Sequence, residues 1–118
     1  MKPLHTLAMA CATAGAIFAA PYAAAHAMLK ESSPAANSSV SAPKEISLVF
    51  NEKIEPAFSS VKVSDASGKE VAAGKGQADG ANLKLEMPEL APGAYAVQWT
   101  GVGPDGHRRT GQFRFTVK

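Results

Sequence analysis

The chain has 118 residues, one cysteine, and 12 Lys+Arg against 10 Asp+Glu, for a formal net charge of +2. A chain of this size supports one domain with a single core. The near-neutral balance argues against nucleic acid or an anionic membrane as a partner, and a lone cysteine excludes an internal disulfide.

The first 25 residues have the three parts of a secretory signal. Lys2 supplies the positive start, Leu4 to Ala20 is mostly apolar, and Ala23-x-Ala25 follows Pro21 with small residues suited to a signal peptidase. The run falls short of the ~20 strongly apolar residues of a membrane span, so no membrane anchoring is expected. Cys11 invites a lipoprotein reading, but Ala8-Met9-Ala10 before it is a poor lipobox. The organisation predicted is a cleaved signal peptide, 1–25, and one exported domain, 26–118. Without Cys11 that domain can have no thiolate metal site and no cysteine nucleophile. Loss of Lys2 lowers its net charge to +1.

After Ala25 no segment has a convincing helical period, and the pattern is the period-two alternation of strands. Ser33-Pro34 and Ala42-Pro43 precede a run in which Ile46, Leu48 and Phe50 alternate with Ser47 and Val49. Val61 and Val63 flank Lys62, and Asp65-Ala66-Ser67-Gly68 predicts a hairpin into Glu70-Val71. Gly74 to Gly80 is Gly-rich but lacks the ending of a phosphate-binding loop, and it reads as a mobile surface loop. Leu83, Leu85 and Met87 form the next alternating face, then Tyr95, Val97 and Trp99, and finally Phe113, Phe115 and Val117. About seven short strands separated by turns predict an all-β fold, an antiparallel immunoglobulin-like sandwich. Trp99 is expected in its core, where large aromatics dominate small β domains.

Cleavage after Ala25 would make His26 the first residue, with a free α-amine and ring Nδ1 able to chelate one metal ion. The mature chain has only one other histidine, in Asp105-Gly106-His107. Residues i and i+2 of a strand point the same way, so Asp105 and His107 are expected to share a face, with Gly103, Pro104 and Gly106 shaping a tight turn. Nitrogen ligands hold Cu(II) more tightly than other divalent first-row ions, and Cu(II) favours tetragonal N and O donors. One amine, two imidazoles and one carboxylate therefore suggest a Cu(II) site. The alternative is two unrelated surface histidines.

The chain also resembles the CopC family of periplasmic copper-binding proteins over essentially all of its mature length. The resemblance starts at His26-Ala27-x-Leu29 and Ser33-Pro34-Ala35, and continues in Pro43-x-x-Ile46-x-Leu48-x-Phe50-x-Glu52 and Pro92-Gly93-x-Tyr95-x-Val97-x-Trp99. It ends in Asp105-Gly106-His107-x-x-x-Gly111-x-Phe113-x-Phe115-x-Val117. It implies a cupredoxin-like Greek-key sandwich in the periplasm that binds one Cu(II) through His26, Asp105 and His107, with Glu52 beside the site orienting a ligand. It further implies a non-enzymatic role in buffering or delivering copper, with a CopD-type inner-membrane protein as a partner. Some family members add a Met-rich loop for Cu(I). Here Met28 and Met87 lie far apart in sequence, which disfavours such a site.

Two other classes compete. A histidine-brace copper redox enzyme would need an open coordination position and a substrate surface, whereas Trp99 and Tyr95 occupy core-like positions. A metal-free interaction module would show no stoichiometric copper binding. Hydrolysis is disfavoured, since no serine motif accompanies Asp105 and His107.

Overall fold

A computed structural model describes residues 29–118; His26 and the expected signal peptide, 1–25, lie outside the described residues. The strands are β1 (Leu29–Ser33), β2 (Ser39–Val40), β3 (Glu45–Phe50), β4 (Ser60–Asp65), β5 (Glu70–Gly74), β6 (Gln77–Asp79), β7 (Asn82–Glu86), β8 (Gly93–Val102) and β9 (Arg108–Val117). A single 3₁₀ turn, Pro56–Phe58, precedes β4. Among the described residues no helix is long and apolar enough to cross a membrane.

The strands form two sheets, ordered β1-β3-β7-β6 and β2-β9-β8-β4-β5. Crossed neighbours such as β3–β7 and β4–β8 are the long connections of a Greek-key sandwich. Alternation explains the burial: Ile46, Leu48 and Phe50 on β3 face Val61, Val63, Val97, Trp99, Phe115 and Val117 from the other sheet, all buried in one cluster. Each such side chain contributes about 1.5–3 kcal/mol by leaving water. Phe50 and Trp99 meet edge to face with centroids 5.3 Å apart, tying the sheets together at the end where β3 and β8 finish. Tyr95 stacks on Phe115 and donates its hydroxyl to the Ala91 carbonyl at 2.6 Å, which satisfies the polar tip of a buried ring.

Four expectations need correction. The described residues hold nine strands rather than about seven, because β1, β2 and β6 are short edge or partner strands without clean alternation. The pairing is not wholly antiparallel: two-residue β2 runs parallel to the end of β9, Ser39 opposite Thr116. The segment expected as a mobile loop ends β5 and then forms β6, which pairs with β7 from Gln77↔Lys84 to Asp79↔Asn82. Gly76 makes this possible, since φ is +61° and any Cβ would collide with the Lys84 carbonyl. Met87 lies just past β7 rather than in it, yet it still packs, half-buried, against the core.

Candidate metal centre

Three segments converge at one end of the sandwich. β1 begins at Leu29 opposite Phe50, the last residue of β3. The chain leaving β3 is then pinned on both sides: Phe50 N–H donates to Ala81 O at 2.8 Å, Ile54 N–H to Gly80 O at 3.0 Å, and Glu55 N–H to Val102 O at 2.7 Å. Ile54 plugs into the core between them. Glu52 is therefore held in a short bridge running from the end of β3 to the end of β8.

The third segment is the β8–β9 turn. Here the expectation of a shared strand face fails, because Asp105 and His107 sit in the turn between the strands and not in either one. A local Asx geometry brings them together instead. Asp105 Oδ1 accepts the His107 N–H at 3.0 Å, and Asp105 Oδ2 lies 2.9 Å from His107 Nδ1. Gly106 between them has φ +82°, a conformation that side chains resist. Gly103 N–H donates to His107 O at 3.3 Å, and Gly106 N–H to Gly103 O at 3.0 Å, closing the turn as the glycines and Pro104 suggest.

Gly103 also sets the spacing to Glu52. A Cβ at this residue would overlap Glu52 Oε1, with Glu52 Cδ at 3.2 Å and Asp105 Oδ1 at 3.3 Å. Both carboxylates thus approach the same bare backbone position. The sequence reading assigned Gly103 to turn shape alone; its role as the gap into which Glu52 fits has no local signal.

The electrostatics favour a cation. The His107 backbone N–H is the main cause that holds the Asp105 carboxyl below the usual carboxylate range; desolvation opposes it and the ring hydrogen bond adds to it. The side chains of His107 and Asp105 are 76% and 57% exposed, open to an incoming ion. An imidazole nitrogen and a carboxylate oxygen in contact match the borderline N and O chemistry of Cu(II). Among the described residues, however, no three His, Cys, Asp or Glu side chains are arranged to hold a metal. Asp105 and His107 are a contacting pair, and His26 lies outside the described residues.

Fold and site together define a small two-sheet β-sandwich whose strand-end turn holds Asp105 and His107 in contact. The CopC domain model matches residues 29–118, and the chain belongs to the CopC family. The crystal structure of CopC from Methylosinus trichosporium OB3b is 44% identical over 79% of this chain and 94% of that one, with a TM-score of 0.73. Copper resistance protein C of Escherichia coli is 34% identical over 98% of this chain and all of its own length. The copper transport protein CutJ of Bacillus subtilis (strain 168) is 33% identical over 79% of this chain, a stretch that covers only 18% of CutJ.

Proposed function

We propose that the mature chain is a non-enzymatic periplasmic carrier that binds one Cu(II) and buffers or delivers it in copper resistance or transport. The observation that carries this reading is the Asp105–His107 contact at the end of the sandwich where β1 begins. His26 is three residues from Leu29, and three extended residues reach about 10 Å. Removal of residues 1–25 would turn the His26 amide nitrogen into an amine, whose ordinary pKa near 7.7–8.0 lets Cu(II) displace the proton at neutral pH. The amine and ring of His26, the ring of His107 and an oxygen of Asp105 then complete a tetragonal set, with Glu52 orienting it.

Family membership and relatives named for copper resistance and copper transport support the same role. The receiving partner is a CopD-type copper-transporting protein of the inner membrane. In CutJ, a stretch similar to this chain is physically part of a much longer copper transport protein.

The test is a Cu(II) competition titration of the authentic mature protein against a version with one Gly before His26. The extension leaves every side chain in place and removes only the amine from His26, so affinity should fall by orders of magnitude. Equal affinities would refute the N-terminal chelate.

A further inference from the structure

Phe58 is the one exposed large hydrophobic side chain among the described residues, with 69% of its surface in solvent. Single exposed apolar residues are ordinary on proteins; the support beneath this one is not. Glu55 N–H donates to Val102 O at 2.7 Å, and Val102 N–H donates back to Ser59 Oγ at 3.2 Å. Ser59 Oγ donates to Glu55 O at 2.9 Å, and Phe58 N–H reaches the same carbonyl at 3.2 Å. Ser59 is fully buried. The 3₁₀ turn is thus locked onto the end of β8 with its polar groups satisfied and its phenyl ring directed outward.

The ring borders an open groove of about 540 Å³, lined by Phe58, Ser60, Thr100, Val102, Gly106 and Arg108. Gly106 lies between Asp105 and His107, so the groove runs directly into the proposed copper end. Its floor is the outer face of the five-stranded sheet, where register places Lys62 beside Gln98 and Arg114 beside Ala96. Lys62, Arg108 and Arg114 are all exposed, and among the described residues none of them has an ion-pair partner. The acidic residues beside this face are Glu70, opposite Ser64 on the far edge strand, and Asp65, which lines one cavity with Arg114.

We propose that Phe58 and this cationic sheet face form the docking surface for the copper-receiving protein, which presents an apolar pocket for the ring and carboxylates for Lys62 and Arg108. The proposal rests on the carrier reading. Aromatic side chains, Phe included, are enriched at interface cores, and unpaired cations around one steer an acidic partner and fix its orientation. Docking here would hold the partner against the turn that carries Asp105 and His107, without covering the ligands themselves.

The test measures Cu(II) transfer from the loaded mature chain to full-length CutJ. Transfer to EDTA serves as the reference. Wild-type transfer to CutJ should outpace transfer to EDTA and slow with added salt. Phe58→Ala and Lys62→Glu should each slow transfer to CutJ at least tenfold while leaving Cu(II) affinity and transfer to EDTA unchanged. Equal rates for wild type and Phe58→Ala, or no advantage of CutJ over EDTA, would overturn the docking surface. A concentration-dependent dimer in sedimentation that Phe58→Ala abolishes would overturn it too, by assigning the face to a second copy of the chain. Failure of the wild type to bind Cu(II) would instead sink the carrier reading.

Discussion

Gly103→Ala separates the architecture of the proposed copper end from the stability of the fold. The new methyl group would overlap Glu52 Oε1 and lie 3.2 Å from Glu52 Cδ. What it meets is the free end of an exposed, flexible side chain, so Glu52 swings into solvent and the backbone stays. Gly103 is not among the residues with positive φ, and both of its turn hydrogen bonds use main-chain atoms. Unfolding free energy should therefore stay within about 1 kcal/mol of wild type, helped by the smaller entropy of the unfolded Ala chain. Copper affinity should respond more strongly. Loss of a group that orients a metal ligand commonly costs about 10–100-fold, or roughly 1.4–2.8 kcal/mol. Competition titration against a Cu(II) chelator gives the affinity, and urea unfolding the stability. Glu52→Gln should reproduce the affinity loss, and combining the two substitutions should add little, because both remove one interaction. An affinity within about threefold of wild type for Gly103→Ala, or full additivity in the double variant, would refute the reasoning.

His107→Ala removes an exposed side chain, so urea unfolding should barely change while Cu(II) affinity falls by orders of magnitude; a drop below about tenfold (~1.4 kcal/mol) would mean the terminus alone chelates copper. Gly111→Ala would place a Cβ 2.5–2.9 Å from three ring atoms of buried Trp99, which Phe50 prevents from turning away; overpacking should cost about 1–3 kcal/mol in urea unfolding, and a change under about 0.5 kcal/mol would refute the tight fit. The Asp65 carboxyl is held below its usual range chiefly by the Ser67 hydroxyl, with the Lys69 N–H next. Its folded pKa is thus lower than the unfolded value near 3.9, and its contribution to stability is present above that value and lost as pH falls through the folded one. Asp65→Asn should therefore flatten the acid limb of a melting profile between about pH 5 and 2, and an unchanged limb would count against the assignment.

Much of the fold was legible because burial follows from side-chain alternation. Ile46-x-Leu48-x-Phe50, Tyr95-x-Val97-x-Trp99 and Phe113-x-Phe115-x-Val117 announce strands, since each must present one apolar face to the other sheet. The turn residues at Asp65 to Gly68 place a hairpin where the structure has one, whereas the β6–β7 hairpin at Asp79 to Asn82 falls partly in a segment that reads as a loop. Chemistry alone singled out Asp105 and His107, because histidine is so scarce after Ala25 and this one lies two residues from a carboxylate. Strand periodicity predicts their contact from the wrong geometry, because a three-residue turn, bent at Gly106, does the joining.

Tertiary structure decided whatever depends on partners distant in sequence. β1, β2 and β6 exist as strands because β3, β9 and β7 offer them backbone hydrogen bonds, and no local alternation records that. Glu52 reaches Gly103 because Ile54 is buried and Glu55 is tied to Val102, contacts that span some fifty residues. Phe58 stands exposed for a similar reason: an apolar residue in a short segment carries no mark of which way it will face. Only the buried Ser59, bonded across to β8, turns the ring outward beside the Asp105–His107 turn.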